Sequence, residues 1–182
     1  LSCQVEVFSL GGKSLFKQQA KLNSAATSVT PAMQLKNQLE KTEGVCFVVL
    51  NLKDANGNPV SHNVYWLSPD DDFKTLKQMP EVRLETKLLG TKHSAAENKW
   101  TFEIRNNSSR LAFFINPQLW NGGEEIMPVF WSGNYFSLAP GEKMLVTASC
   151  PARLSGKSPV LKLEGWNTSA EQINTVLADS SK

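Results

Sequence analysis

The chain has 182 residues, enough for one large or two small domains, and its 19 basic against 17 acidic side chains leave a net charge of +2. That near balance gives no electrostatic footprint for nucleic acid or an anionic membrane. A content of 41% hydrophobic and 20% charged residues excludes disorder, collagen and coiled coil, and no apolar run approaches the ~20 residues of a spanning helix.

The first residues, Leu-Ser-Cys-Gln-Val-Glu-Val, open inside strand-like alternation without a starting Met, a basic region or an apolar signal core. We therefore expect an excised fragment whose first strands and any targeting signal lie upstream. In chain order, strands are predicted at Cys3–Leu10 and Lys13–Leu22, joined by a Gly11-Gly12 hairpin. Thr30-Pro31 is placed to open a short helix through Leu35 and Leu39. Val45–Leu52 reads as a fully buried strand and Val60–Leu67 as its successor, with Asn56-Gly57-Asn58-Pro59 as the turn between them.

A boundary falls at Ser68-Pro69-Asp70-Asp71-Asp72, where a strand end, a proline and three acids coincide. Beyond it, Glu81–Leu88 puts Val82, Leu84 and Leu88 on one face. Lys99–Arg105 alternates without a fault, and Lys143–Cys150 puts Met144, Val146, Ala148 and Cys150 on one face. Leu111–Ile115, Ile126–Phe130, Tyr135–Leu138 and Val160–Trp166 complete the strands. Ser169-Ala170-Glu171-Gln172 matches a capping box ahead of Ile173, Val176 and Leu177, so a short C-terminal helix is expected.

Short strands separated by turn residues indicate an all-β protein built of β-sandwiches. Neither helix is long enough for a βαβ unit, which excludes a doubly wound fold or a β/α barrel for this segment. Residues 1–67 hold too few strands for a complete sandwich, 68–78 read as a linker, 79–168 hold enough for a full one, and 169–182 form a tail.

Chemistry is sparse. Glu124-Glu125 and Asp70-Asp71-Asp72 are the dense acidic spots, but neighbours on a strand point to opposite faces and both spots lie in predicted loops, so neither pair converges as a glycosidase requires. His62 is in phase with inward-facing Val60 and Val64 and reads as a buried or interface histidine, whereas His93 lies in a polar loop with no sequence partner. There is no G-x-S-x-G, phosphate-cradling glycine loop or H-E-x-x-H, and no cysteine–histidine spacing fits a metal. Cys3, Cys46 and Cys150 are an odd set: three buried thiols, or one Cys3–Cys46 bridge if their strands are neighbours.

Trp66, Trp100, Trp120, Trp131 and Trp166 are either core or sugar-stacking platforms. Trp100 has the clearest core phase, with Trp66 and Trp166 also read as core. Trp131 is the best platform, because Trp131-Ser132-Gly133-Asn134-Tyr135-Phe136 could line one surface with aromatic and amide groups. Sequons at Asn106, Asn107 and Asn167 agree with the turn reading and matter only in a eukaryotic secretory pathway.

Four segments carry a resemblance: Asn63-Val64-Tyr65-Trp66-Leu67-Ser68 with Asp72–Leu76, then Ala112-Phe113-Phe114-Ile115, then Met127–Glu142, and Leu163-Glu164-Gly165-Trp166-Asn167. They resemble the junction and last two domains of glycoside hydrolase family 2 enzymes of the exo-β-D-glucosaminidase, mannosylglycoprotein endo-β-mannosidase and β-mannosidase types. The resemblance implies two tandem immunoglobulin-like sandwiches, the first truncated, that follow a catalytic β/α barrel carrying both catalytic glutamates. No part of this chain matches the barrel, so no catalytic, cofactor-binding or metal residue is carried over. Similar sequences often place Asp where this chain has Gly133. The implied role is a non-catalytic accessory region that packs on the barrel of the same polypeptide, with oligosaccharide a further partner in the full-length protein and no nucleic acid or membrane. The implied location is the periplasm or outside the cell. The alternative is a secreted immunoglobulin-like module that binds carbohydrate or protein.

Overall fold

The computed structural model describes residues 1–156 and 158–175. They divide into two compact units, Leu1–Pro80 and the chain from Glu81 onward. The stretch 68–78 belongs to the first unit and carries a 3-10 turn, Lys74–Gln78, anchored by buried Leu76.

The first unit is a four-stranded antiparallel sheet in the order β2-β1-β3-β4, from β1 (Ser2–Ser9), β2 (Ser14–Lys21), β3 (Cys46–Lys53) and β4 (Pro59–Leu67). Alternation decides its faces: Val5 and Val7 of β1 share one with Cys46 and Val48 of β3, because Val7 sits opposite Val48. Met33, Leu35 and Leu39 pack on that face from the 33–39 segment, whose expected helix is only the single turn α1 (Lys36–Leu39). β3 buries Cys46 to Val49 consecutively, as a central strand covered on both sides does.

The second unit is a sandwich of two sheets. One has the order β5-β6-β11-β9, from β5 (Glu85–His93), β6 (Glu97–Arg105), β9 (Phe130–Trp131) and β11 (Lys143–Pro151). The other has the order β10-β7-β12-β13, from β7 (Ala112–Asn121), β10 (Phe136–Leu138), β12 (Val160–Glu164) and β13 (Glu171–Asn174), with β8 (Glu124–Glu125) also on β7. Trp100, Phe102 and Ile104 of β6 and Val146, Ala148 and Cys150 of β11 face Ile115, Leu119, Leu138, Leu161 and Leu163 across one core. At ~25 cal/mol per Å² of apolar surface removed from water, that core is the dominant favourable term in the unit's stability.

The structure corrects several expectations. Glu171–Asn174 is a strand, not the start of a helix: Glu171 accepts a hydrogen bond from the Thr86 hydroxyl at 3.0 Å instead of closing a capping box, and Ser169 donates to Glu81. Val176 and Leu177 lie outside the described residues. The strand expected from Glu81 begins at Glu85 and runs on to His93, with buried Val82 held by a bridge to Thr168. Glu124 and Glu125 form the two-residue strand β8 rather than a loop.

The possible Cys3–Cys46 bridge is excluded by register. Cys3 sits opposite Leu52 and Cys46 opposite Ser9, six rungs apart, or ~20 Å at ~3.4 Å per residue. All three thiols are free.

Candidate functional site

The expected platform around Trp131 is built differently from its sequence reading. Two residues are too few to reveal the phase of β9, but pairing sets it: Trp131 sits opposite buried Ala148 and Phe130 opposite Ser149. Trp131 therefore packs against the core and Phe130 points outward, 67% exposed. Trp131 and Tyr135 do not form one exposed row. Trp66 and Trp166, read as core, are 41% and 51% exposed. Trp66 lies on the edge strand β4 and Trp166 just beyond the end of β12. Trp100 is fully buried as expected, and half-buried Trp120 holds the Lys162 ammonium 3.5 Å from its ring centroid.

The aromatic feature that stands out lies on β7. Its register against β10 passes from Ile115↔Phe136 to Ala112↔Leu138, so three steps on β7 face two on β10. The extra residue makes a β-bulge at Phe113–Phe114. Phe114 has φ +58° and Tyr135 φ +51°, both in the left-handed region. For bulky side chains such a conformation costs of order 1–3 kcal/mol each and persists only where surroundings impose it. Here the surroundings are specific. The Phe113 N–H donates to the buried Asn167 amide oxygen at 2.8 Å, and the Asn167 amide nitrogen donates to the Leu111 carbonyl at 2.9 Å. The Phe114 N–H donates to the Ser137 hydroxyl at 3.2 Å, and the Trp166 N–H donates to the Phe113 carbonyl at 2.9 Å. The result is a Phe114–Tyr135 ring pair, centroids 5.2 Å apart, held at the surface by a tightly bonded backbone. Gly165 is required by close approach: a Cβ there would stand 2.6 Å from the Thr168 hydroxyl and 3.2 Å from the Phe113 carbonyl. At Gly133 a Cβ would meet only the Met144 sulfur at 3.6 Å, so space does not demand glycine.

The titratable candidates are dispersed. Glu124 and Glu125 are both exposed and take opposite faces, opposite Asn121 and Trp120 respectively. Asp72 accepts the Lys74 N–H at 2.9 Å as a turn cap. His62 is half-buried against the Asn51 side chain at 2.9 Å, but its neighbour Val60 is exposed rather than inward. His93 ends β5 instead of lying in a loop, and its Nδ1 lies 3.0 Å from the oxygen of buried Asn98, which in turn donates to Ser155. Burial pushes the Cys46 and Cys150 thiols up, away from reactive thiolate. Among the described residues no group of three or more His, Cys, Asp or Glu is placed to hold a metal. Asn106 and Asn167 are buried with their amides engaged, so of the three sequons only Asn107 presents its side chain at the surface.

Comparison with known proteins fits this arrangement. The model of the exo-β-D-glucosaminidase Ig-fold domain matches residues 63–168, more than half of the chain. The chain belongs to this family. The model of the mannosidase Ig/CBM-like domain matches residues 1–69. The exo-β-D-glucosaminidase of Hypocrea jecorina is 26% identical over 93% of this chain but only 20% of its own length. That of Amycolatopsis orientalis is 32% identical over 71% of this chain and 14% of its own. A mannosylglycoprotein endo-β-mannosidase of Lilium longiflorum is 25% identical over 86% and 17%. The crystal structure of Amycolatopsis orientalis exo-chitosanase CsxA shares the fold, with TM-score 0.79 and 20% identity over 96% of this chain and 23% of that one. The chain thus spans about a fifth of the length of the relatives it matches. Its domains are immunoglobulin-like accessory domains of glycoside hydrolase family 2 glucosaminidase- and mannosidase-type proteins.

Proposed function

We propose that this chain is the non-catalytic accessory region of a β-glycosidase of the exo-β-glucosaminidase or β-mannosidase type, packing on and supporting the catalytic barrel of the same polypeptide. The observation that carries the reading is the exo-β-D-glucosaminidase Ig-fold match over a chain only a fifth as long as its relatives. The bulge supports it. A fold that places two aromatic residues in left-handed backbone, beside a bulge held by hydrogen bonds at Phe113 and Phe114, presents a rigid apolar knob suited to a permanent neighbour. In this arrangement residues 1–80 and the sandwich beyond them act as two accessory modules.

The test is to incubate the purified chain with glucosamine oligomers and with aryl β-mannosides. The expected result is no release of sugar or aglycone above the uncatalysed rate. Turnover that survives purification to homogeneity overturns the reading. The alternative, a secreted immunoglobulin-like module that binds carbohydrate or protein, draws no support from an aromatic row at Trp131 and Tyr135, because Trp131 packs inward.

A further inference from the structure

We propose that the outer face of the β5-β6-β11-β9 sheet binds an acidic oligosaccharide, with an anionic group of the sugar seated between Lys92 and Lys99. This goes beyond the accessory role and does not rest on it.

Strand alternation puts Trp100, Phe102, Val146 and Ala148 into the core, so Lys99, Thr101, Thr147 and Ser149 face outward. Register lines them up in two rows. One row runs Lys92, Lys99, Ser149, Phe130; the next runs Gly90, Thr101, Thr147. Lys92 stands directly opposite Lys99, an arrangement that is unfavourable for like charges. Neither lysine is in an ion pair among the described residues. The other end of the same face is fully matched: Lys143 lies 2.6 Å and Arg105 3.5 Å from Glu103, and Lys87 lies 2.8 Å from Glu85. The sheet therefore pairs its charges at one end and leaves two juxtaposed cations at the other, with exposed Glu97 two residues along the strand from Lys99 and in no ion pair among the described residues.

The backbone beside them is shaped as well. A register shift between Leu88 and Gly90 extrudes Leu89, and Gly90, without a side chain, sits opposite Thr101. This leaves a hollow of about 240 Å³ lined by Gly90, both lysines, Thr101 and Thr147. A bare anion would need only the lysines. The threonine hydroxyls and the exposed Phe130 ring, two strands beyond Lys99 at ~4.8 Å per strand, fit the hydroxyls and the apolar C–H face of sugar rings. A neutral glycan leaves the lysines without a role, and a cationic amino-sugar is repelled by them.

The experiment is a titration of the isotope-labelled chain, followed by backbone amide shifts, with hexagalacturonate, a sulfated dextran oligomer, maltohexaose, a glucosamine hexamer and sodium sulfate. The expected result is saturable shifts at Gly90, Thr101, Thr147 and Phe130 with the two acidic oligomers, weakened by added salt. Sulfate alone should act only around the lysines and far more weakly, and the neutral and cationic oligomers should leave these amides unmoved. Lys99→Glu should weaken acidic-oligomer binding about tenfold or more, while its thermal midpoint holds or rises because it creates a favourable pair with Lys92. Phe130→Ala should weaken the oligomers but not sulfate. Hexagalacturonate and sulfated dextran together show whether carboxylate or sulfate is preferred. The proposal is overturned by equal affinity for maltohexaose, by unchanged binding in Lys99→Glu, by sulfate binding as tightly as the oligomers, or by no shift at these amides.

Discussion

Asn167 carries the bulge, and removing its side chain tests whether the Phe114 surface is built as described. In Asn167→Ala the amide oxygen that accepts the Phe113 N–H and the amide nitrogen that donates to the Leu111 carbonyl both disappear. Leu111 is fully buried and Phe113 only 4% exposed, so water has little access to the two groups left behind. A net hydrogen bond contributes about 1 kcal/mol, and a stranded buried polar group costs about 1–3 kcal/mol. Two such groups, partly relieved by backbone adjustment, give an expected loss of about 3 kcal/mol from the second unit. For a domain of this size that lowers the thermal midpoint by roughly 10–20 °C. The assay is urea and thermal unfolding followed by tryptophan fluorescence, with amide exchange at Phe113 as a local reporter. Asn63→Ala, on the exposed part of β4, is the control and should stay within about 0.5 kcal/mol. A loss below about 1 kcal/mol with Phe113 exchange unchanged would refute the account of the bulge.

Gly165→Ala forces a methyl group against the Thr168 hydroxyl and the Phe113 carbonyl and should cost about 1–3 kcal/mol in the same unfolding assay, with faster exchange at the Trp166 amide. The Lys143 and Arg105 cations hold the Glu103 carboxyl below the usual carboxylate range, and a hydrogen bond from Lys87 and then one from Asn107 do the same for Glu85. Depressed carboxylates stabilise the fold above their ordinary value of 4.5 and lose that contribution as pH falls through the lower folded values. Unfolding midpoints should therefore drop on acidification below about pH 4.5, and Glu103→Gln should flatten that drop. Thiol labelling with a disulfide reagent at neutral pH should modify half-buried Cys3 first and Cys46 and Cys150 only as the chain opens; electrophoresis without reductant should show no internal bridge.

Much of this fold is legible in the sequence because a strand's two faces differ chemically. The unbroken alternation of Lys99–Arg105 is the central strand β6, and Trp100 is buried where its phase puts it. What was not legible depends on partners distant in sequence. Ser169–Gln172 carries a local helix start, yet Thr86, 85 residues away in sequence, holds the Glu171 carboxylate and the segment pairs with β12 instead. Trp66 has the composition of a core residue, but β4 has a neighbour on one side only. The site shows the same division. Leu111–Ile115 reads as a continuous apolar run, which conceals the extra residue that turns Phe114 outward. The phase of Phe130 and Trp131 is set by Ala148 and Ser149 opposite them, which a two-residue strand cannot announce. The signal that could have found the Lys92–Lys99 site is Gly90, which lies past the Glu81–Leu88 stretch read as a strand but inside β5, at the bulge that forms the hollow.

Packing of the bulge surface on the catalytic domain of a larger polypeptide, as proposed above, is open to a direct test. Amide hydrogen exchange, compared between the isolated chain and the full-length parent protein, tests it most directly. Segments 111–116 and 132–138 should become markedly more protected in the parent, while the outer strand face at 90–101 should exchange alike in both. Equal exchange of the two bulge segments in both contexts would contradict it.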